Sequence, residues 1–499
     1  MTLPHRVLPI DTILIYANCI DPTLAIENTI TMKIAFHGAA RTVTGSKHLL
    51  TLDTGTQVLL DCGLFQGLGR ETEALNEQFG FDPQQINYLL LSHAHIDHCG
   101  LIPRLVKEGF TGKIFCTPAT NDLAQVLLLD SAEIQRDDAY FLNKRRARQG
   151  LPPQPPLYTV EDAKAAFEQF TPVEYGTWFE IEPGLQVLYT DAGHIIGSAA
   201  VHVRVTEHGK TTQISFSGDV GRYRDVILRS PDVFPQADYI ITESTYGNSL
   251  HDNIDNTPDT LLRWIEKTCL QKKGKLIIPA FSVGRTQELL FFLNQLSEER
   301  RLPAVPVYVD SPLSQEATAI IKSHPENYNK AVKKLLQTDK DPFDFDGLRF
   351  IKTVEESKHL NAVAQPCIII SASGMADAGR VTHHIANAIG SPKNTILIVG
   401  YCEPHSLGGR LMNGADDVHI FGEQYAVQAE VGVMRNMSAH GDYDDLSQFL
   451  ACQTPSLVKC VFIVHGEYIV QQEFQRRLIK KGFTSVQIPE LHSVFGLNF

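Results

Sequence analysis

Apolar residues fall along this chain in short runs that stop abruptly at polar ones. Residues 58–61, 88–92, 114–116 and 213–217 each read as a buried strand with a polar side chain at its end. A sheet built from such runs predicts that chemistry gathers where the strands stop. Residues 118–149 read as one long helix with Lys144, Arg145, Arg146 and Arg148 near its end, stopped by Gly150 and by prolines over 152–156. Beyond Asp219 strand and helix alternate: 275–279 then 284–296, 305–310 then 313–322, 367–371 then 377–389, with another strand over 395–400. Such alternation predicts a parallel, doubly wound α/β sheet. From 442 onward the pattern returns to helix, a strand over 460–464, and helix.

Length and composition narrow the classes. A chain of 499 residues predicts two or three folding units and excludes a small binding module. With 43% hydrophobic and 20% charged residues the composition is globular, and no apolar run nears the ~20 residues of a membrane-spanning helix, so no membrane association is expected. Lys and Arg number 44 against 57 Asp and Glu, a net charge of −13 that speaks against coating nucleic acid with a basic surface. Any phosphate substrate then needs local basic patches or metals, and its binding should weaken only gently with salt. The nine cysteines are scattered and form no C-x-x-C pair, a pattern suited to the cytoplasm. Residues 1–31 hold one short apolar stretch but neither the basic start nor the cleavage site of a secretory signal. Because Met32 opens a strand, these residues are expected to be an upstream extension or the product of a mis-assigned start.

The densest chemistry is His93, His95, Asp97 and His98, an H-x-H-x-D-H cluster directly after an apolar strand. Alternate strand-end positions aim two imidazoles one way, and the following turn brings a carboxylate and a third imidazole toward a second metal. His194, in Asp-Ala-Gly-His-Ile-Ile-Gly-Ser-Ala, and Asp219, in Phe-Ser-Gly-Asp-Val-Gly, each close another apolar strand. Either alone would equally suit an ordinary strand-end polar residue. Asp61, in Leu-Leu-Asp-Cys-Gly, is a candidate for the carboxylate that fixes a ligand imidazole or the nucleophilic water.

H-x-H-x-D-H, then Gly-His, then Ser-Gly-Asp resembles the metallo-β-lactamase superfamily of dinuclear zinc hydrolases. Three further segments resemble motifs A, B and C of its β-CASP branch of RNA- and DNA-processing nucleases: Ile-Thr-Glu-Ser-Thr-Tyr-Gly with Glu243, Met-Ser-Ala-His-Gly-Asp with His440, and Val-His-Gly-Glu with His465. The likeness runs from Met32 to the C-terminus and covers Gly379 to His384 and Gly400 to Arg410. It implies an αββα sandwich over residues 32–245 and 433–499, interrupted over 246–432 by a β-CASP domain with a parallel α/β sheet. It also implies two zinc ions per chain, one held by His93, His95 and His194 and one by Asp97, His98 and His465, with Asp219 bridging; manganese or iron suits the same donors. Two metals can supply a nucleophile and clamp a phosphate, which leaves a proton to be found for the departing oxygen. His440 is the candidate general acid and Glu243 the group that orients or charge-stabilises it. Motif B departs from the common pattern at Met437, Ser438 and Gly441, and none of these removes a catalytic group.

Several residues carry two readings. The loop 371–375 offers Ser371, Ser373 and the backbone at Gly374 before the helix bearing Arg380, either a phosphate cradle or a plain strand-to-helix turn. Arg410 and Arg285 invite the same suspicion. The 144–148 cluster suits guidance of single-stranded RNA, but Asp137 and Asp138 on the same helix can neutralise it, and it reads rather as a solvated face; His383 and His384 read as structural. The resemblance implies hydrolysis of single-stranded RNA, as endonuclease, 5′-exonuclease or both, by a protein expected to be a homodimer like many members of that branch and without an added RNA-binding domain. A lactonase or thioesterase using the same metals is the competing class, though the large insert with Glu243 and His440 would serve it no evident purpose. A non-hydrolytic scaffold is a third class, and the intact ligand set speaks against it.

Overall fold

The computed structural model describes residues 32–69, 71–251, 256–400 and 402–499. The expected extension over 1–31, with Cys19, and Tyr401 of the 400–410 motif lie outside the described residues.

Two seven-stranded sheets face one another. The first runs in the order Val494–Leu497, Met32–Phe36, His48–Thr51, Gln57–Leu60, Tyr88–Leu90, Lys113–Cys116, Phe170–Pro172. The second runs Val486–Gln487, Cys460–Ile463, Tyr239–Thr242, Lys210–Phe216, Ala199–Glu207, Leu185–Asp191, Phe179–Glu182. Side chains alternate between strand faces, and the burial follows that period. Ile34, Phe36, Val58 and Leu60 interlock with Val201, Val203, Ile214, Phe216 and Phe462 between the sheets. Ala35, Leu59 and Leu89 point the other way, onto Leu101, Leu123 and Leu128 of the helical layer. On the outer face of the second sheet, Ile240, Val461 and Ile463 pack against Leu446, Phe449, Phe474 and Leu478. Apolar residues on both faces of both sheets require a helical layer outside each, which is the αββα sandwich.

The last 40 or so residues close both sheets. Cys460–Ile463 pairs in parallel with Tyr239–Thr242, and Val494–Leu497 pairs antiparallel with Met32–Phe36. Between these halves a third, six-stranded sheet runs in the order Leu348–Phe350, Val307–Val309, Ile368–Ser371, Leu276–Pro279, Thr395–Val399, Glu430–Met434, parallel throughout. Its edge strands were not legible from apolar periodicity: Leu348–Phe350 has three residues, and Glu430–Met434 is interrupted by Gly432. The latter strand straddles residue 432, the boundary expected from sequence. Helix Pro118–Arg148 packs on helix Pro312–Ser323, so the third sheet's layer is continuous with the helical layer of the sandwich.

Candidate metal centre

The polar residues expected at strand ends converge at one rim of the sandwich. Asp61 follows Gln57–Leu60, His93 follows Tyr88–Leu90, Asp219 follows Lys210–Phe216, Glu243 follows Tyr239–Thr242 and His465 follows Cys460–Ile463. Asp61 and His465 turn the chain with φ of 59° and 49°, which aims their side chains back over the sheet edge at some steric cost. His95 caps the short helix Ile96–Cys99, which presents Asp97 and His98 from its first turn.

Nitrogen meets nitrogen here at distances that packing alone does not favour. His95 Nδ1 lies 3.1 Å from His93 Nε2 and 3.2 Å from His194 Nε2, and Asp219 Oδ2 is 3.6 Å from each of those Nε2 atoms. Ligands about 2.0–2.1 Å from a tetrahedral zinc are about 3.3 Å from one another, so these four atoms have the spacing of one coordination shell. A second set adjoins it. His98 Nε2 is 3.3 Å from His465 Nε2 and 3.3 Å from Asp219 Oδ2, and Asp97 Oδ2 is 3.4 Å from His465 Nε2. Asp219 Oδ2 thus touches both sets, and its Oδ1 is buried without a hydrogen-bond partner. Imidazole and carboxylate donors without thiolate suit zinc, and the residues fit the metals that the motif implies.

Outer partners set which nitrogen faces inward. His98 Nδ1 lies 2.6 Å from Asp61 Oδ2, and His93 Nδ1 lies 3.0 Å from Ser92 Oγ, which itself donates to Asp61 Oδ2 over 2.9 Å. Ser46 Oγ and the Ser92 amide also donate to Asp61. His465 Nδ1 lies 3.0 Å from Thr245 Oγ1, whose hydroxyl is within reach of the His465 carbonyl. In each case the network places the proton on Nδ1 and leaves the Nε2 lone pair facing the centre. Burial depresses the pKa of His93, His194 and His95, the last to about 4, so these rings stay neutral. At His98 burial is outweighed by Asp219, Asp61 and Asp97, which push its pKa well above the usual range. Carboxylates converging on one ring mark a place suited to a cation.

Glu243 and His440 sit beside this set. Glu243 is buried, its Oε1 accepting from the Val220 amide at 2.6 Å and its Oε2 from the Thr245 amide at 3.1 Å. His440 Nδ1 lies 3.2 Å from Glu243 Oε1 and 3.8 Å from Asp219 Oδ2. Burial acts downward on its pKa, and the two carboxylates outweigh it, raising the ring to about 9. The loop carrying His440 is tied down from outside. His251 Nε2 donates to the His440 carbonyl over 2.9 Å, and the buried Arg222 guanidinium donates to the Asn436 carbonyl.

Matches to known families cover the same segments. The metallo-β-lactamase superfamily matches residues 48–252, the Beta-Casp domain residues 286–411, and the Zn-dependent metallo-hydrolase RNA specificity domain residues 424–489. A ribonuclease of Thermus thermophilus is 34% identical over 436 residues, covering 87% of this chain and 93% of that protein. The chain belongs to the β-CASP branch of the metallo-β-lactamase superfamily. An RNase J-like protein of Methanocaldococcus jannaschii is 30% identical over 93% of this chain and 98% of its own length. A transcription termination factor, FttA, of Methanosarcina mazei is 30% identical over 83% of this chain, which spans 63% of that longer protein.

In this β-CASP chain the suspected phosphate contacts are not all free. Ser371 Oγ is buried and donates to the Asp310 carbonyl over 2.8 Å, and Gly374 abuts the Phe281 ring so closely that a Cβ would collide with it. Arg380 donates to Asp310 Oδ1 at 2.7 Å and to the Lys352 carbonyl at 3.0 Å. Asp310, buried at the end of Val307–Val309, also accepts from Ser357 and from His384 Nε2, so His384 is structural and Arg380 is occupied within the insert. Ser373 is half-buried, and Arg410 has a buried Nε without a partner. Arg285 is buried and ion-paired with Glu288. His383 stacks on Phe421 with ring centroids 4.4 Å apart. Sequence reasoning missed Thr245, Ser92, Ser46, His251, Arg222 and Asp310. Thr245 lay inside the quoted motif A, two residues after Glu243, and that position was its one available signal.

Proposed function

We propose that this chain is a zinc-dependent ribonuclease that hydrolyses phosphodiester bonds of single-stranded RNA, as endonuclease, 5′-exonuclease or both. The observation that carries the reading is His440 Nδ1 at 3.2 Å from Glu243 Oε1 and 3.8 Å from Asp219 Oδ2, beside the two adjoining donor sets. One set is His93, His95 and His194, the other Asp97, His98 and His465, with Asp219 shared. When bound, two divalent ions there supply a nucleophile at neutral pH and neutralise charge on the phosphoryl oxygens. The chain's own residues supply the rest. Glu243, held by two backbone amides, fixes the His440 ring through Nδ1 and favours its protonated form. His440 Nε2, which has no hydrogen-bond partner among the described residues, is then the atom that gives a proton to the leaving 3′ oxygen. In this reading the third sheet's layer serves as the opposite wall of a cleft for a single strand, with Ser373 and Arg410 the groups assigned to the phosphates and Ser371 and Arg380 bracing the loop through Asp310.

The metallo-hydrolase family and the ribonuclease-named relatives support RNA as the substrate. Eight free cysteines among the described residues support a reducing compartment, here the cytoplasm, and no described helix is long and apolar enough to cross a membrane. Homodimerisation is part of the proposal and is read by light scattering. The deciding experiment is cleavage of a 5′-labelled single-stranded RNA by zinc-loaded protein beside His440→Ala, Asp97→Ala and a generic lactone and thioester. RNA cut by the wild type alone, with the esters untouched, supports the nuclease, and product lengths separate endo from exo action. Intact RNA with metal-dependent ester turnover would overturn it.

A further inference from the structure

Helix Pro118–Arg148 has two unlike halves. Its first half is built into the sandwich: Thr117 and Thr120 hydroxyls both donate to the Gly197 carbonyl in the loop that carries His194, and Leu123, Leu128 and Ala132 are buried. After Ala132 no residue of the helix is buried. The projecting end is nevertheless fixed. Asn143 exchanges hydrogen bonds with the Gln154 backbone at 2.9 and 2.7 Å, and Arg146 Nε donates to the Pro152 carbonyl at 2.7 Å, so the returning chain pins one face.

At 100° per residue, Phe141, Lys144, Arg145 and Arg148 share the opposite face within about a quarter turn to a third of a turn. Tyr140 flanks them. Tyr140 and Phe141 are 64% and 61% exposed, with ring centroids 5.4 Å apart and planes at 76°. Neighbouring Arg136 is matched by Glu133 and Asp137, at 2.9 and 3.0 Å. By contrast, Lys144, Arg145 and Arg148 have no carboxylate partner among the described residues. One or two cations in a last helical turn are accounted for by the helix dipole. The dipole gives no reason for two adjacent exposed aromatic rings, nor for three unpaired cations together on a chain of net charge −13.

We propose that this helix end is a second contact surface for single-stranded RNA. Tyr140 and Phe141 offer faces on which bases stack, and Lys144, Arg145 and Arg148 meet the backbone phosphates, the combination that binds single strands without reading sequence. The proposal rests on the ribonuclease reading above and adds a substrate site remote from the metal centre. Phe141 stands 23 residues along the helix from Pro118, about 35 Å at 1.5 Å per residue. Because the helix start is tied through Thr117 to the loop carrying His194, a strand engaged at both places crosses a gap of that order, about ten nucleotides at 3.4 Å per stacked step. The contact therefore favours long substrates and is silent for short ones.

The test compares a 20-nucleotide and a 5-nucleotide unstructured RNA with the full chain, wild type, Tyr140→Ala/Phe141→Ala and Lys144→Gln/Arg145→Gln/Arg148→Gln. The positions are exposed and the replacements favour helix, so folding is retained and is checked by circular dichroism. For the long RNA each variant should raise KM about tenfold with kcat unchanged, while cleavage of the short RNA stays at the wild-type level. Three lost phosphate contacts should also reduce the slope of log affinity against log salt by about 2. An unchanged KM for the long RNA, or equal losses for both lengths, would overturn the proposal. So would loss of binding to poly-L-glutamate alone, which would assign the surface to an acidic protein. A wild type that neither binds nor cuts either RNA would instead bring down the ribonuclease reading and this contact with it.

Discussion

His98 Nδ1 lies 2.6 Å from Oδ2 of Asp61, with both side chains buried. Asp61 takes four hydrogen bonds, from Ser46, the Ser92 amide and hydroxyl, and His98, and through them it orients two imidazoles at once. Asp61→Asn keeps the shape and tolerates the left-handed backbone at this position, but removes the charge that orders the network. Zinc affinity, measured against a chromophoric chelator, should fall roughly 10- to 100-fold. Unchanged affinity would show that backbone geometry alone aims the rings.

Thr245→Val tests the same idea at His465. The hydroxyl that accepts from His465 Nδ1 at 3.0 Å is replaced by a methyl of nearly the same volume. Metal affinity should drop by about tenfold or more at the Asp97, His98, His465 set, with the thermal midpoint of the metal-free protein little changed. Loss of metal-free stability instead would make Thr245 a packing residue.

His440→Ala should separate metal binding from proton delivery. The ring is at the edge of the donor sets, so metal content by mass spectrometry should equal that of the wild type while kcat on RNA falls roughly 10²- to 10⁴-fold. A variant that loses metal as well would place His440 among the ligands.

Metal removal should weaken the fold. With the ions chelated, carboxylates and imidazoles face one another at 3.3 to 3.6 Å with only protons between them. Ions at about 100 times their dissociation constant add about 2.7 kcal/mol, so the thermal midpoint should fall on chelation and recover with zinc or manganese. An identical midpoint with and without metal would contradict a preassembled centre.

Lys47 gives a pH signature away from the ligands. Its ammonium is wholly buried, donates to the Gly45 and Gly63 carbonyls at 3.0 and 2.8 Å, and lies 4.2 Å from the centroid of the Phe65 ring. Burial lowers its pKa from 10.5 to about 7. Between those values the unfolded chain holds more protons than the folded one, so this group's contribution to stability increases as pH rises from 7 toward 10.5 and is constant below 7. The unfolding free energy of the wild type minus that of Lys47→Met should therefore rise over pH 7 to 10 in urea titrations. A flat difference would mean that the ammonium stays charged in the fold.

Much of the donor set is legible in the chain because H-x-H-x-D-H packs four metal-binding side chains into six positions, a density with no packing rationale. His194, Asp219 and His465 are legible only through their motifs, since a single polar residue after a strand has many uses. Arg380 shows where one-dimensional reading stops. Its position after a serine-rich loop suggests a phosphate contact, yet its guanidinium meets Asp310, 70 residues earlier in the chain. Thr245, His251 and Arg222 escaped for the same reason: their roles depend on partners 220, 189 and 214 residues away.

Local periodicity determines the strands, the helices and the placing of polar groups at strand ends, because alternation and helical spacing are properties of neighbours in sequence. It determines the parallel α/β class of the insert as well, whereas the αββα sandwich is legible only through the motifs that carry the family resemblance. The tertiary structure alone decided which nitrogen of each imidazole faces inward, which arginines are already engaged, and that the helix end bearing Phe141, about 35 Å along the helix from Pro118 by the rise of about 1.5 Å per residue, is left uncovered among the described residues. Those are matters of distance between residues far apart in the chain, and such distances exist only once the two sheets have closed on one another.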